Sequence, residues 1–274
     1  MADKRLTPAR PDLAAAHLKG KVEAARFVEG EKFLVLRGHT PLRQKPQSHA
    51  AQETELLCGE LFTAYEQKDG WAWGQIASDG YVGYLHTLSL EPHVEATHRV
   101  TALFAPVFTA PDIKAAICGS LPMNSLVRLE KETGDFLQTN AGLLSRRHLA
   151  PLPELAADFT SVAERFLGAP YVWGGKTAAG LDCSGLIQTA LQASGISAPR
   201  DTDMMENALG LPVTRADIQR GDLVFWKGHM GVMLDAARLL HANAFHMEVF
   251  AEPLDQAIAR IGQSAGPVTS IKRL

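Results

Sequence analysis

Cys183 stands between an acid and a hydroxyl in the stretch "AAGLDCSGLIQTAL" (residues 178–191), where a helical pattern begins. Asp182 is a natural N-cap. Leu186, Ile187, Ala190 and Leu191 supply the apolar stripe of a helix that Gly195 stops. The N–H groups of a first helical turn have no intrahelical partner and form the positive end of the helix dipole, so they favour a thiolate over a thiol. Thiols so placed have pKa values lowered from ~8.5 to roughly 3.5–7.5 when a basic partner assists, and a depressed pKa is the expectation for Cys183. The competing reading is a buried packing cysteine, which needs neither a helix end nor a base. Cys58 and Cys118, each in an apolar run before a glycine, fit that second description and are assigned to packing.

A nucleophilic cysteine needs a base. Seven of the ten histidines precede the last third of the chain, and most of these have polar or turn-like neighbours and read as surface residues; His229, His241 and His246 lie within it. His229 opens the β-like run "HMGVML", and His241 lies in "RLLHAN", which can pair with that run as a hairpin around "DAAR". The two imidazoles would then be opposite or diagonal neighbours. One ring could take the thiol proton while the other sets its tautomer. His246 lacks this placement and reads as surface. Zinc ligation by Cys183, His229 and His241 is a minor alternative, because spacings of 46 and 12 residues contain no CxxC or HxxxH pair. No metal and no cofactor is implied.

These residues need a scaffold. "LAADFTSVAERFLG" reads as a helix, the Cys183 helix follows after the "YVWGG" loop, and "GDLVFW", "HMGVML" and "RLLHAN" are β-like, so the last third is α+β, helices first and strands after. Upstream, short β-like runs broken by Gly, Pro, Asn and Asp suggest small all-β barrels. A weak internal echo aligns Cys58-Gly59 with Cys118-Gly119, sixty residues apart. The expected organisation is an N-terminal arm over 1–30, a first β domain over 31–95, a second and degenerate one over 96–153, and the α+β domain over 154–274.

The bulk numbers agree with a folded protein of several domains. The 274 residues are 46% hydrophobic and 21% charged, with a net charge of −3 and no basic block. A nucleic-acid groove and a polybasic membrane patch are therefore not indicated, and no stretch is apolar enough to cross a bilayer. Three widely spaced cysteines are no disulfide framework, and a cytoplasmic location is the simplest expectation.

"YVWGGKTAAGLDCSGLIQTAL", "RGDLVFW", "GHMGVML" and "LLHANA" together resemble the NlpC/P60 cysteine peptidases over about the last 120 residues. The runs "DGYVGYL" and "GWAWG" resemble bacterial SH3-like domains. The resemblance implies a papain-like α+β catalytic domain preceded by two small SH3-like barrels, and hydrolysis of amide bonds in cell-wall peptides. It makes Cys183 the nucleophile, His229 the general base and His241 the residue that orients the base. Tyr171, with the Cys183 N–H, would stabilise the oxyanion. Ser184 and Asp182 are candidate substrate contacts, although capping explains Asp182 equally well, and Trp173 is either a contact or loop packing. The arrangement further resembles the γ-D-glutamyl-L-diamino acid endopeptidases of murein-peptide recycling, which hold a free N-terminal L-alanine. That likeness assigns the ammonium to Asp201, Glu60 and Tyr84. The murein peptide is then the only partner expected. The rival readings are an amidase or acyltransferase of the same fold and a wall-fragment binding module; the intact Cys/His/His set favours hydrolysis.

Overall fold

A computed structural model describes residues 3–36 and 38–274. The chain divides into two compact units, one ending at Pro153 and one spanning Glu154–Leu274.

The first unit is almost entirely β. A seven-stranded antiparallel sheet runs, in spatial order, through Gln52–Leu57, His39–Arg43, Val82–His86, Trp71–Ile76, Leu61–Lys68, Glu31–Val35 and Leu90–Pro92. Its core is built from Val35, Leu42, Leu56, Phe62, Ile76, Tyr81 and Leu85. A five-stranded and a three-stranded sheet between His98 and Pro151 surround a second core of Val100, Ala105, Val107, Leu121, Val127 and Leu144, to which Cys58 also belongs.

The two β modules repeat one hydrogen-bond pattern. Gly59 N–H donates to Val35 O at 2.9 Å, and Val35 N–H to Glu60 O at 3.0 Å; Asn124 N–H donates to Val100 O at 2.9 Å, and Val100 N–H to Ser125 O at 2.8 Å. Gly59 and Asn124 both have φ near +70–80° (80° and 69°), a region open to glycine and tolerated by asparagine. The structural equivalence therefore pairs Gly59 with Asn124, and the Cys-Gly echo read from the sequence is five residues out of step. The consequence for Cys118 is direct. It lies on the strand Ile117–Pro122 at the edge of its sheet and is exposed, not packed. Cys58 is buried as expected.

The N-terminal arm forms a two-residue parallel pairing of Ala14–Ala15 with Phe27–Val28 around a 3₁₀ turn at Ala16–Leu18. It is tied to the first β module. Leu6 packs on that module's core, Val82 N–H donates to Arg5 O, and the Arg10 guanidinium lies 4.4 Å from the centroid of the Trp73 ring.

The second unit holds α1 (Phe159–Glu164), α2 (Cys183–Ala193), α3 (Thr202–Ala208) and α4 (Leu254–Ala265). Its sheet contains β1 (Leu211–Pro212), β2 (Leu223–Trp226), β3 (His229–Met233), β4 (Arg238–Asn243), β5 (Glu248–Pro253) and β6 (Ser270–Arg273), in the spatial order β1-β6-β2-β3-β4-β5. The order along the chain is not simply helices then strands, because α4 interrupts the sheet between β5 and β6. The expected helix over 155–167 is shorter, since Asp158 caps it by accepting from Thr160 and Ser161 N–H, leaving Leu155 and Leu167 exposed. Helix α2 is buried along Cys183–Leu191. That burial takes in the polar Ser184, Gln188 and Thr189 as well as the apolar stripe, which makes α2 a central element, and it packs on α1, β3 and β4. Helix α4, apolar on one face, closes a core of Val224, Trp226, Met233, Leu239, Leu254, Ala257 and Ile261.

Candidate active site

Asp182 starts α2 as its N-cap, with the carboxylate accepting from Gly185 N–H at 2.6 Å and from Gly174 N–H at 2.8 Å. The same carboxylate forms a two-pronged pair with Arg200, at 2.9 and 2.7 Å, and Arg200 also donates to Ser184 Oγ at 2.9 Å. Arg200 is 1% exposed. Asp182 and Ser184 are thus buried and turned toward Arg200, which fixes where the first turn of α2 points. Nothing in the sequence pattern singled out Arg200. The signal available was an arginine immediately before the "DTDMMENAL" stretch that forms α3.

Cys183 is the first residue of α2 and is buried. Its Sγ lies 3.7 Å from Thr202 Oγ1 at the start of α3, and the Met230 backbone N–H donates to it. Strand β3 pairs with β4 only at Val232↔Leu240 and Met233↔Leu239. Beyond those pairs the strands part, which leaves the Met230 N–H to the sulfur. The thiol is pushed up to about 11 by burial and by the Asp182 charge; Thr202 and the N–H groups of Met230 and Ser184 oppose this. The depressed pKa expected from the helix end is therefore overturned. Desolvation disfavours the charged form more than the first-turn dipoles favour it.

His229 opens β3 and is partly exposed; His241 on β4 is fully buried. Their rings are hydrogen-bonded, His229 Nε2 to His241 Nδ1, at 2.8 Å. The expected hairpin is present. Extending its register puts His241 opposite Gly231 and diagonal to His229 on the same face. Gly231 gives the room this needs, since a Cβ there would lie 2.8 Å from Leu240 O and 3.0 Å from His241 Cβ. Burial lowers the His229 pKa to about 3, helped by His241 and Arg260 and opposed by Glu252. The His241 pKa is lowered by burial too, against the pull of Glu252.

The chain of contacts continues past His241. His241 Nε2 lies 2.8 Å from Glu252 Oε1 on β5, and Arg260 of α4 donates to the same oxygen. Neither Glu252 nor Arg260 lies in a motif that marks it in the sequence. Alternation along "EVFAEP" would have shown Glu252 on the face shared with His241, once β5 was known to neighbour β4. His246 differs from expectation: it is half-buried, stacked at 4.0 Å on Phe250 and bonded to Asn243.

Tyr171 pairs with Met247 through its backbone N–H and is half-buried, while Trp173 on the same loop is 65% exposed. Burial raises the Tyr171 phenol to about 12, with Cys183 and Asp182 adding to the shift and Arg200 opposing it, so the hydroxyl keeps its proton. Asp201 is the N-cap residue of α3 by position, without a side-chain capping bond. Glu60 and Tyr84 lie in the first unit. There the buried Glu60 carboxylate accepts from Leu57 N–H at 2.7 Å and from Ser78 Oγ at 3.1 Å, and Tyr84 accepts from Arg10 at 2.8 Å.

A first-turn cysteine that accepts from the Met230 N–H, next to the hydrogen-bonded pair of His229 and His241, is an arrangement for thiol chemistry. The NlpC/P60 family description matches residues 168–260, and the bacterial dipeptidyl-peptidase SH3 domain matches residues 42–90. Dipeptidyl-peptidase 6 of Lysinibacillus sphaericus is 35% identical over 241 residues, covering 78% of this chain and 89% of that protein. The chain belongs to the NlpC/P60 family. It is a peptidase with an N-terminal SH3-like module. The gamma-D-glutamyl-L-lysine dipeptidyl-peptidase of Bacillus subtilis (strain 168) is 36% identical over 219 residues, 69% of this chain and 72% of its own length. The crystal structure of an NlpC/P60 family protein from Bacillus cereus ATCC 10987 has the same fold, with a TM-score of 0.75 and 20% identity over 89% of this chain and 99% of that one.

Proposed function

We propose that the protein is a cysteine endopeptidase that cleaves the γ-D-glutamyl-L-diamino acid bond of murein peptides bearing a free N-terminal L-alanine, in the cytoplasmic recycling of cell-wall fragments. The observation that carries the chemistry is the 2.8 Å bond between His229 Nε2 and His241 Nδ1. It uses one nitrogen of the His229 ring and leaves Nδ1 as the base for Cys183. The substrate class is supported by the Bacillus subtilis relative, named for γ-D-glutamyl-L-lysine. The exposed thiol of Cys118, on an edge strand, suits a reducing compartment.

At rest, both partners are neutral at pH 7. As Cys183 Sγ attacks the γ-carbonyl carbon of D-glutamate, its proton passes to His229 Nδ1. The oxyanion accepts from the Cys183 backbone N–H and the Tyr171 hydroxyl, interactions worth about 2.7–4 kcal/mol per donor in comparable sites. His229 then protonates the departing amine of the diamino acid, leaving a thioester. Water, deprotonated by His229 Nδ1, attacks the thioester carbonyl, and the released thiolate recovers the proton. Asp201, which precedes the Thr202 whose Oγ1 lies 3.7 Å from Sγ, would hold the substrate ammonium.

The experiment is mass spectrometry of L-Ala-γ-D-Glu-L-Lys and its diaminopimelate counterpart incubated with the protein, with N-acetylated copies and Cys183→Ala in parallel. Cleavage of a free-amine peptide that is absent in Cys183→Ala is the expected result. Equal cleavage of acetylated copies would discard the ammonium site. Undiminished cleavage by the variant would overturn the mechanism.

A further inference from the structure

We infer that Glu252, held by Arg260, is a positioning residue that sets the tautomer of both histidines and so makes His229 a base toward Cys183. This rests on the peptidase reading above for its consequence, but not for its geometry.

The three residues lie on three adjacent strands, His229 on β3, His241 on β4 and Glu252 on β5. The β4–β5 register pairs His241 with Phe250 and Leu239 with Glu252, so Glu252 is the diagonal neighbour of His241, as His241 is of His229. Strand alternation places all three on one face. Two ring-to-partner distances of 2.8 Å join them in series.

Proton bookkeeping then has one solution. An ionised carboxylate only accepts hydrogen bonds, so His241 Nε2 must carry a proton and donate it to Glu252 Oε1. In a neutral imidazole the other nitrogen is then an acceptor, so His241 Nδ1 accepts. His229 Nε2 must therefore donate, and the lone pair of that ring falls on Nδ1. Reversing the charge-bearing end would reverse every bond and put a proton where the thiol proton must go. Burial works against an ionised Glu252, but the His241 bond and the Arg260 charge hold its carboxyl below its ordinary value. The charged and titratable groups facing His241 are His229, Glu252, Arg260 and His246, and Glu252 is the one anion among them. When His229 becomes an imidazolium during attack, that anion is also the nearest charge along the hydrogen-bonded series able to stabilise it.

The test combines ¹⁵N NMR of the histidine rings with kinetics. In the substrate-free wild-type protein near pH 7, both His229 and His241 should carry their proton on Nε2. Glu252→Ala should leave His241 averaging between tautomers and lower kcat about 10–100-fold, by analogy with loss of the hydrogen-bond partner of a metal-bound histidine, with KM little changed. Glu252→Gln, which keeps an acceptor without the charge, should fall between. A wild-type His229 protonated on Nδ1 would overturn the inference whatever the variants do. So would a folded Glu252→Ala with kcat within twofold of wild type. Should Glu252→Ala not fold, the wild-type spectrum and Glu252→Gln decide. Loss of the peptidase reading would show instead as no turnover by wild type, with the tautomers still as stated.

Discussion

The Arg200 guanidinium meets the Asp182 carboxylate at 2.7 and 2.9 Å beneath the first turn of α2, and both residues are buried. Asp182 also accepts two backbone N–H groups, so a single carboxylate joins the helix start, the Gly174 loop and Arg200. Removing one partner of a buried pair strands the other charge, at a cost of about 3–5 kcal/mol. Arg200→Ala should lower the stability of the catalytic unit by that order and abolish activity through misplacement of Cys183. Calorimetry checks the first effect. A variant that melts like wild type would show that the pair does not hold the helix end.

Cys183→Ala is expected to behave in the opposite way. The thiol is buried and resists ionisation, so its loss removes a reacting atom and few stabilising contacts. Hydrolysis should vanish while the melting temperature moves by no more than a few degrees. A large destabilisation would mark Cys183 as a packing residue after all.

The neutral histidine pair makes stability pH-dependent in a definite direction. His229 has a folded-state pKa of about 3 against an ordinary 6.5. The unfolded chain therefore binds a proton that the folded chain refuses. The associated stability is complete above pH 6.5 and is lost as pH falls from there toward 3. Thermal melts from pH 7 to pH 4 should show a steeper decline for wild type than for His229→Asn. Parallel declines would mean that His229 is readily protonated in the folded state.

Much of this site was legible in the sequence because its parts obey local rules. Asp182 before an apolar 3.6-residue stripe locates the helix start, and two β-like runs around "DAAR" bring His229 and His241 together. What was not legible depends on sequence-distant packing. Arg200 reaches Asp182 only through the path of the chain after α2, and Glu252 meets His241 only because β5 lies beside β4. Arg260 depends on α4, an insertion that no strand pattern announces. The Cys183 pKa was misjudged for a related reason: the helix-end effect is local and visible, whereas burial belongs to the whole fold. The Cys-Gly echo misled because two similar dipeptides occupy different places in the two β modules, and the backbone pattern at Gly59 and Asn124 carries the true repeat.

Gly231 offers a probe of how closely the histidine strands must approach. A methyl there would lie 2.8 Å from Leu240 O, 2.9 Å from Leu239 Cδ1 and 3.0 Å from His241 Cβ. The first of these is backbone, so β3 and β4 must separate. Gly231→Ala should cost about 1–3 kcal/mol, as overpacking does, and lower kcat more than it raises KM. Unchanged kinetics would show that the His229–His241 bond tolerates strand movement.

The N-terminal arm can be tested through Arg10. Its guanidinium donates to Tyr84 Oη at 2.8 Å, pairs with Glu66 at 2.5 Å and Asp12 at 2.9 Å, and lies over the Trp73 ring. Glu66 also pairs with Arg26, so two arginines of the arm converge on one acid of the first β module. A partly desolvated cation over an indole contributes about 0.5–2 kcal/mol, and Glu66 beside it is largely covered, whereas Asp12 is exposed. Arg10→Ala should therefore destabilise the first unit by about 1–2 kcal/mol, speed amide exchange at Ala14 and Ala15, and change Trp73 fluorescence. Unaltered exchange at those two alanines would mean that their N–H bonds to Arg26 O and Pro8 O hold the arm without Arg10.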